Sequence, residues 1–370
     1  MNGSPARLPR VRRRAAILIA CAFPLSCLGE RRASEPPRMP GPAPQAARPG
    51  DVALENARCE GCHTEVAREW RASMHAQASV DPVYQRALAI EPLPFCRGCH
   101  APEADPRGDA PPVLARLGVG CVTCHATGDG VLGPVLAAAP SAVAPPHPVL
   151  ISAAFGTAAA CASCHEFDFP VHAPGRRPDR MQSTVMEHAT GPHAADSCSS
   201  CHMPPVEGPR RHRSHGFAAA HDLPTLRAAL TVTAARTSPS RVTVTLAPGQ
   251  VGHAVPTGDL FRRLVVSAEA VGDDWTVVSE ASRALHRHFA FGPAAEGHVV
   301  RELVGDDRVG VGPSRPVDLD FGDAARGLAV AWRVEYQRVE HPLGADESDV
   351  VVADSIVVAE GVVPSMEGEP

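Results

Sequence analysis

Five copies of one short pattern decide most of what this chain can become. They read Cys59-Glu60-Gly61-Cys62-His63, Cys96-Arg97-Gly98-Cys99-His100, Cys121-Val122-Thr123-Cys124-His125, Cys161-Ala162-Ser163-Cys164-His165 and Cys198-Ser199-Ser200-Cys201-His202. Two thiols three residues apart, followed at once by an imidazole, are what covalent haem attachment requires. The thiols add to the two vinyl groups of a porphyrin, and the histidine reaches its iron from one face. Zinc sites and disulfide frameworks also use paired cysteines. Histidine, however, is 18 of 370 residues, so a chance His after each of five pairs has a probability on the order of 10⁻⁷. The expectation is five haem c groups, with His63, His100, His125, His165 and His202 as proximal ligands.

The cysteine count supports the same reading. Of 12 cysteines, ten belong to the motifs; the other two, Cys21 and Cys27, lie near the N-terminus. No structural disulfide is expected in the mature region. Arg7, Arg10, Arg12, Arg13 and Arg14 precede a short apolar run from Ala15 to Leu25, a pattern that reads as an export signal over residues 1–27. Leu18-Ile19-Ala20-Cys21 and Leu25-Ser26-Cys27 both resemble lipoprotein signals, with Cys27 giving the better apolar length; an ordinary cleaved signal is the alternative. The expected location is the periplasm, the outer membrane or the cell surface, with a lipid anchor if the lipoprotein reading holds. Residues 28–50 are rich in proline, which favours extended, poorly packed chain, so they read as a linker.

The net charge of −6 becomes −11 once the five arginines of the first 26 residues are set aside. Haem propionates would add further negative charge. That balance argues against nucleic acid and for redox protein partners with a basic docking face. Every basic residue is Arg, so the C-x-x-C-K motif that supplies a Lys-ligated haem in pentahaem nitrite reductases cannot occur here.

Residues 51–227 are dense in Cys, His, Pro and Gly and short of apolar runs, too little protein to wrap five haems around a conventional core. They read as a mostly irregular, short-helical domain packed on its haems, with a helical stretch over Ala67 to Leu88 interrupted at Asp81-Pro82. Residues 228–364 have a different texture. Ala229–Ala235, Arg241–Leu246, Arg263–Val271, Trp275–Ser279, Leu285–Phe291, Pro316–Phe321, Leu328–Val339 and Val350–Ala359 alternate apolar and polar residues and are rich in Val and Thr, as strands are. The fold class expected is therefore multidomain: a haem domain followed by an all-β sandwich of immunoglobulin-like type, with a small barrel as the alternative.

A second axial His makes a haem iron six-coordinate and suited to electron transfer, whereas an open position can bind substrate. Thirteen histidines lie outside the motifs. His75 follows the first motif by one or two helical turns, His147 stands between two prolines, and His212, His215 and His221 crowd the segment after the fifth motif. His172, His286, His288, His298 and His341 read better as surface or hydrogen-bonded residues.

Several of these stretches share a pattern. Cys59-x-x-Cys62-His63 is followed by Glu69-Trp70-x-x-Ser73-Met74-His75, then by Gly118-Val119-Gly120-Cys121-x-x-Cys124-His125 and Cys198-x-x-Cys201-His202-Met203-Pro204. With Met181-Gln182-x-Thr184, Glu187, His215-Gly216-Phe217-x-x-x-His221-Asp222 and Gly252-His253-x-x-Pro256-Thr257-Gly258, the set resembles the multihaem cytochromes grouped around the tetrahaem electron-transfer cytochromes that accompany hydroxylamine oxidation. The resemblance spans most of residues 55–260. It implies mostly bis-His haems that pass single electrons along a chain, and it implies His75, His147, His215, His221 and His253 as distal ligands. At His188, relatives often carry an aromatic residue, which leaves His188 and His193 as alternatives.

The leading function is single-electron transfer between redox partners outside the inner membrane. One rival is a multihaem oxidoreductase acting on a small nitrogen or sulfur compound at a five-coordinate haem. With only Tyr84 and Tyr336 as tyrosines, a reading that relies on a tyrosine cross-link is weakened. A third reading makes the β-region a module that docks the haem unit into a larger complex. His253 bears on all three. It lies in Val251-Gly252-His253-Ala254-Val255-Pro256-Thr257-Gly258-Asp259, between turn signals in the cysteine-free half. The expectation is that it reaches back to cap a haem iron; the alternative is a turn histidine bonded locally.

Overall fold

Strand formation in the C-terminal half follows from its alternation. In Arg241–Pro248, Val242, Val244 and Leu246 point inward and are fully buried, while the threonines between them point outward. This strand is the centre of a three-stranded antiparallel sheet, flanked by Arg315–Asp320 and Leu230–Ser238. A four-stranded antiparallel sheet runs in the order Val277–Leu285, Arg262–Val271, Ala329–Val339, Val352–Val363. Both sheets contribute to one apolar cluster that contains Val242, Val244 and Leu246 from the first and Leu264, Val266, Val330 and Val334 from the second. The layers therefore face one another across a shared core. A separate hairpin, Arg287–Pro293 paired with Val299–Asp306, extends beyond the two sheets.

This is the computed structural model of the chain; it describes residues 51–135, 146–173, 175–208, 211–293, 299–340 and 350–366. The export signal with Cys21 and Cys27, the linker, His298 and His341 lie outside the described residues. Among those described, no helix is long and apolar enough to cross a membrane.

The motif-bearing half is built from short helices, the longest Val52–Cys62, joined by loops and three small strand pairs. The stretch expected as one interrupted helix over Ala67 to Leu88 is three: Thr64–Arg71, Met74–Gln77 and Pro82–Ile90. The breaks are capped locally. Ser73 and Asp81 each start a new helix by accepting a backbone N–H, from Ala76 and Tyr84 respectively, as short polar residues do at N-termini. The apolar cluster of this half holds five buried residues, Val52, Trp70, Ala76, Leu117 and Val122, against 22 for the sheets. So small a cluster leaves the packing of this half to depend on its motif side chains and on the sheets beside it.

Contact between the halves is extensive and largely ionic. Arg308 meets Glu187 at 2.8 Å, Arg301 meets Glu91 at 2.7 Å, and Arg338 meets Asp81. Arg176 grips Glu302 through two bonds of 2.7 Å. Arg287 donates to the carbonyls of Arg180 (3.0 Å) and Gly258 (2.7 Å). An aromatic cluster backs these bonds: Phe169 packs with Phe289 and Leu260, and Arg301 lies over the rings of Phe169 and Phe291. The described residues from Asp51 onward accordingly form one compact unit.

The strands differ from expectation in two places. Val277–Leu285 is continuous through the gap left between Trp275–Ser279 and Leu285–Phe291, and the break falls instead at His286. There Asp307 accepts the His286 backbone N–H at 2.8 Å and pairs with the His288 ring at 3.0 Å. Val299–Asp306 is a strand with no forecast in the sequence, because it pairs only with its hairpin partner and its residues are mostly exposed or half-buried, so no alternation develops. Since Leu264 is fully buried at the centre of the shared core, Leu264→Ala is expected to destabilise the protein by about 2–5 kcal/mol, read as a lowered midpoint in denaturant unfolding.

Candidate haem-attachment sites

Each C-x-x-C-H motif lies on, or ends, its own short helix: Val52–Cys62 with His63 as its C-cap, Pro94–His100, Cys121–His125, Ala159–His165 and Cys198–His202. Helical geometry sets cysteines i and i+3 on one face, a turn apart, with the histidine directly beyond. Three motif histidines are then fixed by a backbone carbonyl at Nδ1: His100 on Ala78 (2.6 Å), His125 on Leu132 (2.8 Å) and His202 on Ala218 (2.6 Å). A carbonyl at Nδ1 sets the tautomer and leaves Nε2 free to act as a ligand.

Opposite three of the motif histidines stands a second imidazole. The ring centroids of His165 and His75 are 6.3 Å apart, those of His125 and His215 are 6.2 Å apart, and those of His202 and His253 are 6.1 Å apart with planes within 6°. Two imidazoles on one metal, each with a bond of about 2 Å and a ring radius of about 1 Å, require roughly 6 Å between centroids. The residues present therefore fit a haem iron held between each pair. Burial, reinforced by neighbouring histidines and in the case of His165 by Arg262, lowers the pKa of His75 and of His165 to about 4. Both rings are neutral at neutral pH, the form that binds a metal.

The motifs also adjoin one another. The side chains of Cys99 and Cys164 adjoin one another, as do those of Cys161 and Cys198. Cys124 lies within electrostatic reach of Cys164, and Cys121 of Cys59. The fourth motif thus touches the second, third and fifth, and the third leads to the first.

The loops that carry the second imidazoles are held by specific contacts. His75 is locked from behind by Val119, whose N–H donates to the His75 carbonyl at 2.9 Å and whose carbonyl accepts the Trp70 indole at 2.8 Å. Gly118, at φ +55°, passes so close that a Cβ there would lie 2.5 Å from the His75 carbonyl oxygen. That approach, not flexibility alone, explains the glycine. His215 is held by Glu69, which accepts its backbone N–H at 2.9 Å and the His212 ring at 3.1 Å. Burial opposes the charge on Glu69, yet these donors hold its pKa below the usual carboxylate range. The ring of Phe217 packs edge-on to both His75 and His215.

The remaining sequence candidates lie elsewhere. His221 sits among the charges of Arg338, Arg262, Asp354 and Asp81, and burial lowers its pKa. His147 precedes the strand Val149–Ile151, which pairs with Val131–Gly133, whose Leu132 carbonyl meets His125. Neither makes a ring contact with a motif histidine among the described residues. His188 and His193 pack against Gly252, where a Cβ would lie 3.1 and 3.2 Å from their atoms, and so support the His253 loop from the side. Among the described residues His100 faces no second imidazole in ring contact; the ring of Tyr84 lies flat on it at 3.7 Å, with a buried hydroxyl that burial pushes well above its usual pKa.

Sequence reasoning did not find Val119, Phe217, Arg308 or the three carbonyl acceptors. Carbonyls carry no sequence signal, and Arg308 acts from more than fifty residues beyond the loop it holds. Gly118→Ala is expected to force the His75 helix aside at a cost of about 1–3 kcal/mol, measurable as a lowered thermal midpoint of the holo-protein.

Comparison with known proteins agrees with this geometry. Residues 58–126 match the family model described as cytochrome c554 and c-prime. The fold is similar to the crystal structure of a penta-heme cytochrome c552 from Thermochromatium tepidum, at 18% identity and a TM-score of 0.61, over 85% of this chain and 98% of that one. No curated protein sequence matches the chain. Taken with the motifs, these findings support a multihaem c-type cytochrome.

Proposed function

We propose that this multihaem cytochrome is a pentahaem electron carrier, passing single electrons between redox partners outside the inner membrane. The observation that carries the reading is the set of three imidazole pairs at 6.1–6.3 Å, within one contiguous group of motifs. Bound haem supplies a one-electron couple. The protein's part is to keep both imidazoles of a pair neutral, fixed and shielded from water, so that little has to rearrange when charge changes. His75, His125 and His165 are kept neutral by burial, and the rings of His125 and His202 are fixed by their carbonyl partners. In this reading His75, His215 and His253 are the distal ligands of the haems on motifs four, three and five.

The match over residues 58–126 and the shared sequence patterns support kinship with the tetrahaem cytochromes that accompany hydroxylamine oxidation. The strand order of the two sheets supports an immunoglobulin-type sandwich, with the extra hairpin inserted before Arg315–Asp320. The basic, apolar leader supports export and lipid anchoring at Cys27, and the net charge of the exported chain supports partners with a basic docking face.

A specific observation favours a second activity at the second motif. Among the described residues, His100 stacks on Tyr84 and makes no ring contact with another imidazole. A haem held there with no second histidine would keep an exchangeable position, as reduction or oxidation of a small nitrogen or sulfur compound requires.

Pyridine haemochrome analysis against protein concentration is expected to give five haems per chain; fewer would defeat the pentahaem reading. In electron paramagnetic resonance of the ferric protein, three or more haems are expected to be low-spin, and His253→Ala should convert one to high-spin with all five still attached. Cyanide or nitrite binding to one haem of the unmodified protein, lost on altering His100, is the outcome expected of the second reading.

A further inference from the structure

The His253 loop belongs to the sheet half, yet its ring faces His202 in the motif half. Its own ring is held only locally, with Nδ1 3.0 Å from the Ala254 carbonyl. The direction of the imidazole is therefore set by how the loop is anchored. On the N-terminal side the anchor is steric: a Cβ on Gly191 would lie 2.6 Å from the Gly252 carbonyl oxygen, so Gly191 lets the turn after the helix Thr184–Ala189 close directly onto the loop.

On the C-terminal side the anchor is polar and buried. Val255 and Val309 exchange backbone bonds of 2.8 and 3.1 Å. Next to this bridge, Arg308 donates through Nη1 to the Pro256 carbonyl at 2.9 Å and through Nη2 to Glu187 at 2.8 Å, while Asp306 holds its other edge at 2.9 and 2.8 Å. Glu187, on the helix Thr184–Ala189 of the motif half, accepts the Thr257 hydroxyl at 2.6 Å and the Ser183 hydroxyl at 2.7 Å. Thr257 also bonds Thr184 at 2.9 Å. One charge from each half thus grips the two residues that follow the cis Val255-Pro256 bond, three and four positions beyond His253. Arg308 is 7% exposed, so solvent does little to weaken the pair.

We infer that Glu187 and Arg308 are positioning residues for His253: the buried pair aims its imidazole at the iron of the fifth motif and so couples docking of the two halves to completion of that haem's ligand set. The inference rests on His253 being the distal ligand opposite His202. A pair with a merely structural role would lower the melting temperature and leave every haem's ligand field unchanged.

The test uses the full holo-protein in five variants, Arg308→Gln, Arg308→Lys, Glu187→Gln, Thr257→Val and His253→Ala, with Val242→Ala as a core control. Each is measured for haem content by pyridine haemochrome, thermal midpoint, and electron paramagnetic resonance of the ferric state. Arg308→Gln and Glu187→Gln are expected to retain five haems while one low-spin signal is lost or shifted, with high-spin intensity rising by up to one haem per chain. Arg308→Lys should restore part of that signal, since it keeps the charge but not the fork that bonds Pro256 and Glu187 together. If the charge variants do not fold, Thr257→Val removes only the hydroxyl bond to Glu187 and should shift the same signal. Val242→Ala should lower the thermal midpoint with no spectral change. A high-spin haem in His253→Ala beside unaltered spectra in Arg308→Gln, Glu187→Gln and Thr257→Val would overturn the inference and leave the ligand intact. An unaltered spectrum in His253→Ala itself would remove the ligand assignment, and the inference with it.

Discussion

The separation of paired imidazoles is the constraint on which the rest of the structure depends. A gap near 6 Å between ring centroids is too wide for direct contact and suits a metal bound from both sides. Holding it takes two independent supports, because the two rings of each pair come from different parts of the chain. The motif ring is fixed by its helix and, in three of the five motifs, by a carbonyl at Nδ1. The opposing ring rides on a loop that must be braced from outside. Val119 braces His75, Glu69 braces His215, and the Glu187–Arg308 pair lies behind the His253 loop. The polar network of the motif half is thus organised around loops, which explains why so small an aliphatic cluster is enough there.

The same need explains the chemistry of the contact between the halves. A chain whose cations are all arginine can bridge a carboxylate and a carbonyl with one side chain, since the guanidinium offers several donors in a fixed plane. Arg308 does so with Glu187 and Pro256, and Arg287 grips two or more carbonyls at once. Arg301 adds stacking on Phe169 and Phe291 to its bond with Glu91. Breaking any of these buried pairs by removing one partner would leave the other charge without compensation, typically at a cost of about 3–5 kcal/mol. The sheets are therefore built into the motif region through their loops and hairpin.

Much of this was legible in the residue pattern. The five motifs, the change of texture near Ala228 and most of the strands follow from Cys-His spacing and Val-Thr alternation, because both signals are local and repeat. The strand Val299–Asp306 was not legible, as a hairpin arm exposed or half-buried on most of its residues needs no alternation. Nor were the two- and three-residue ladders, such as Val131–Gly133 with Val149–Ile151, which are too short to hold a period yet supply the Leu132 carbonyl that fixes His125. At the site, the motif histidines could be named from spacing alone. The second imidazoles could not be matched to them, since His75, His215 and His253 each cross to a motif other than the nearest in sequence or come from another half of the chain.

His253 illustrates how far a local reading extends. Its glycine and proline neighbours announce a turn, and a turn is what it occupies. The same residues also make the turn usable as a ligand arm: Gly252 admits the ring of His188 and the Cβ of His193, Gly191 lets the opposing turn approach, and Pro256 presents a carbonyl with no competing N–H of its own to Arg308. A histidine free to rotate on an exposed turn would lose several rotamers on binding a metal, and that entropy would count against coordination. Fixing the backbone beforehand removes most of this cost. On the proposed assignment, the loop spans the distance from the sheet edge to His202, and a residue in a stretch without a single cysteine serves the chemistry of the cysteine-rich half.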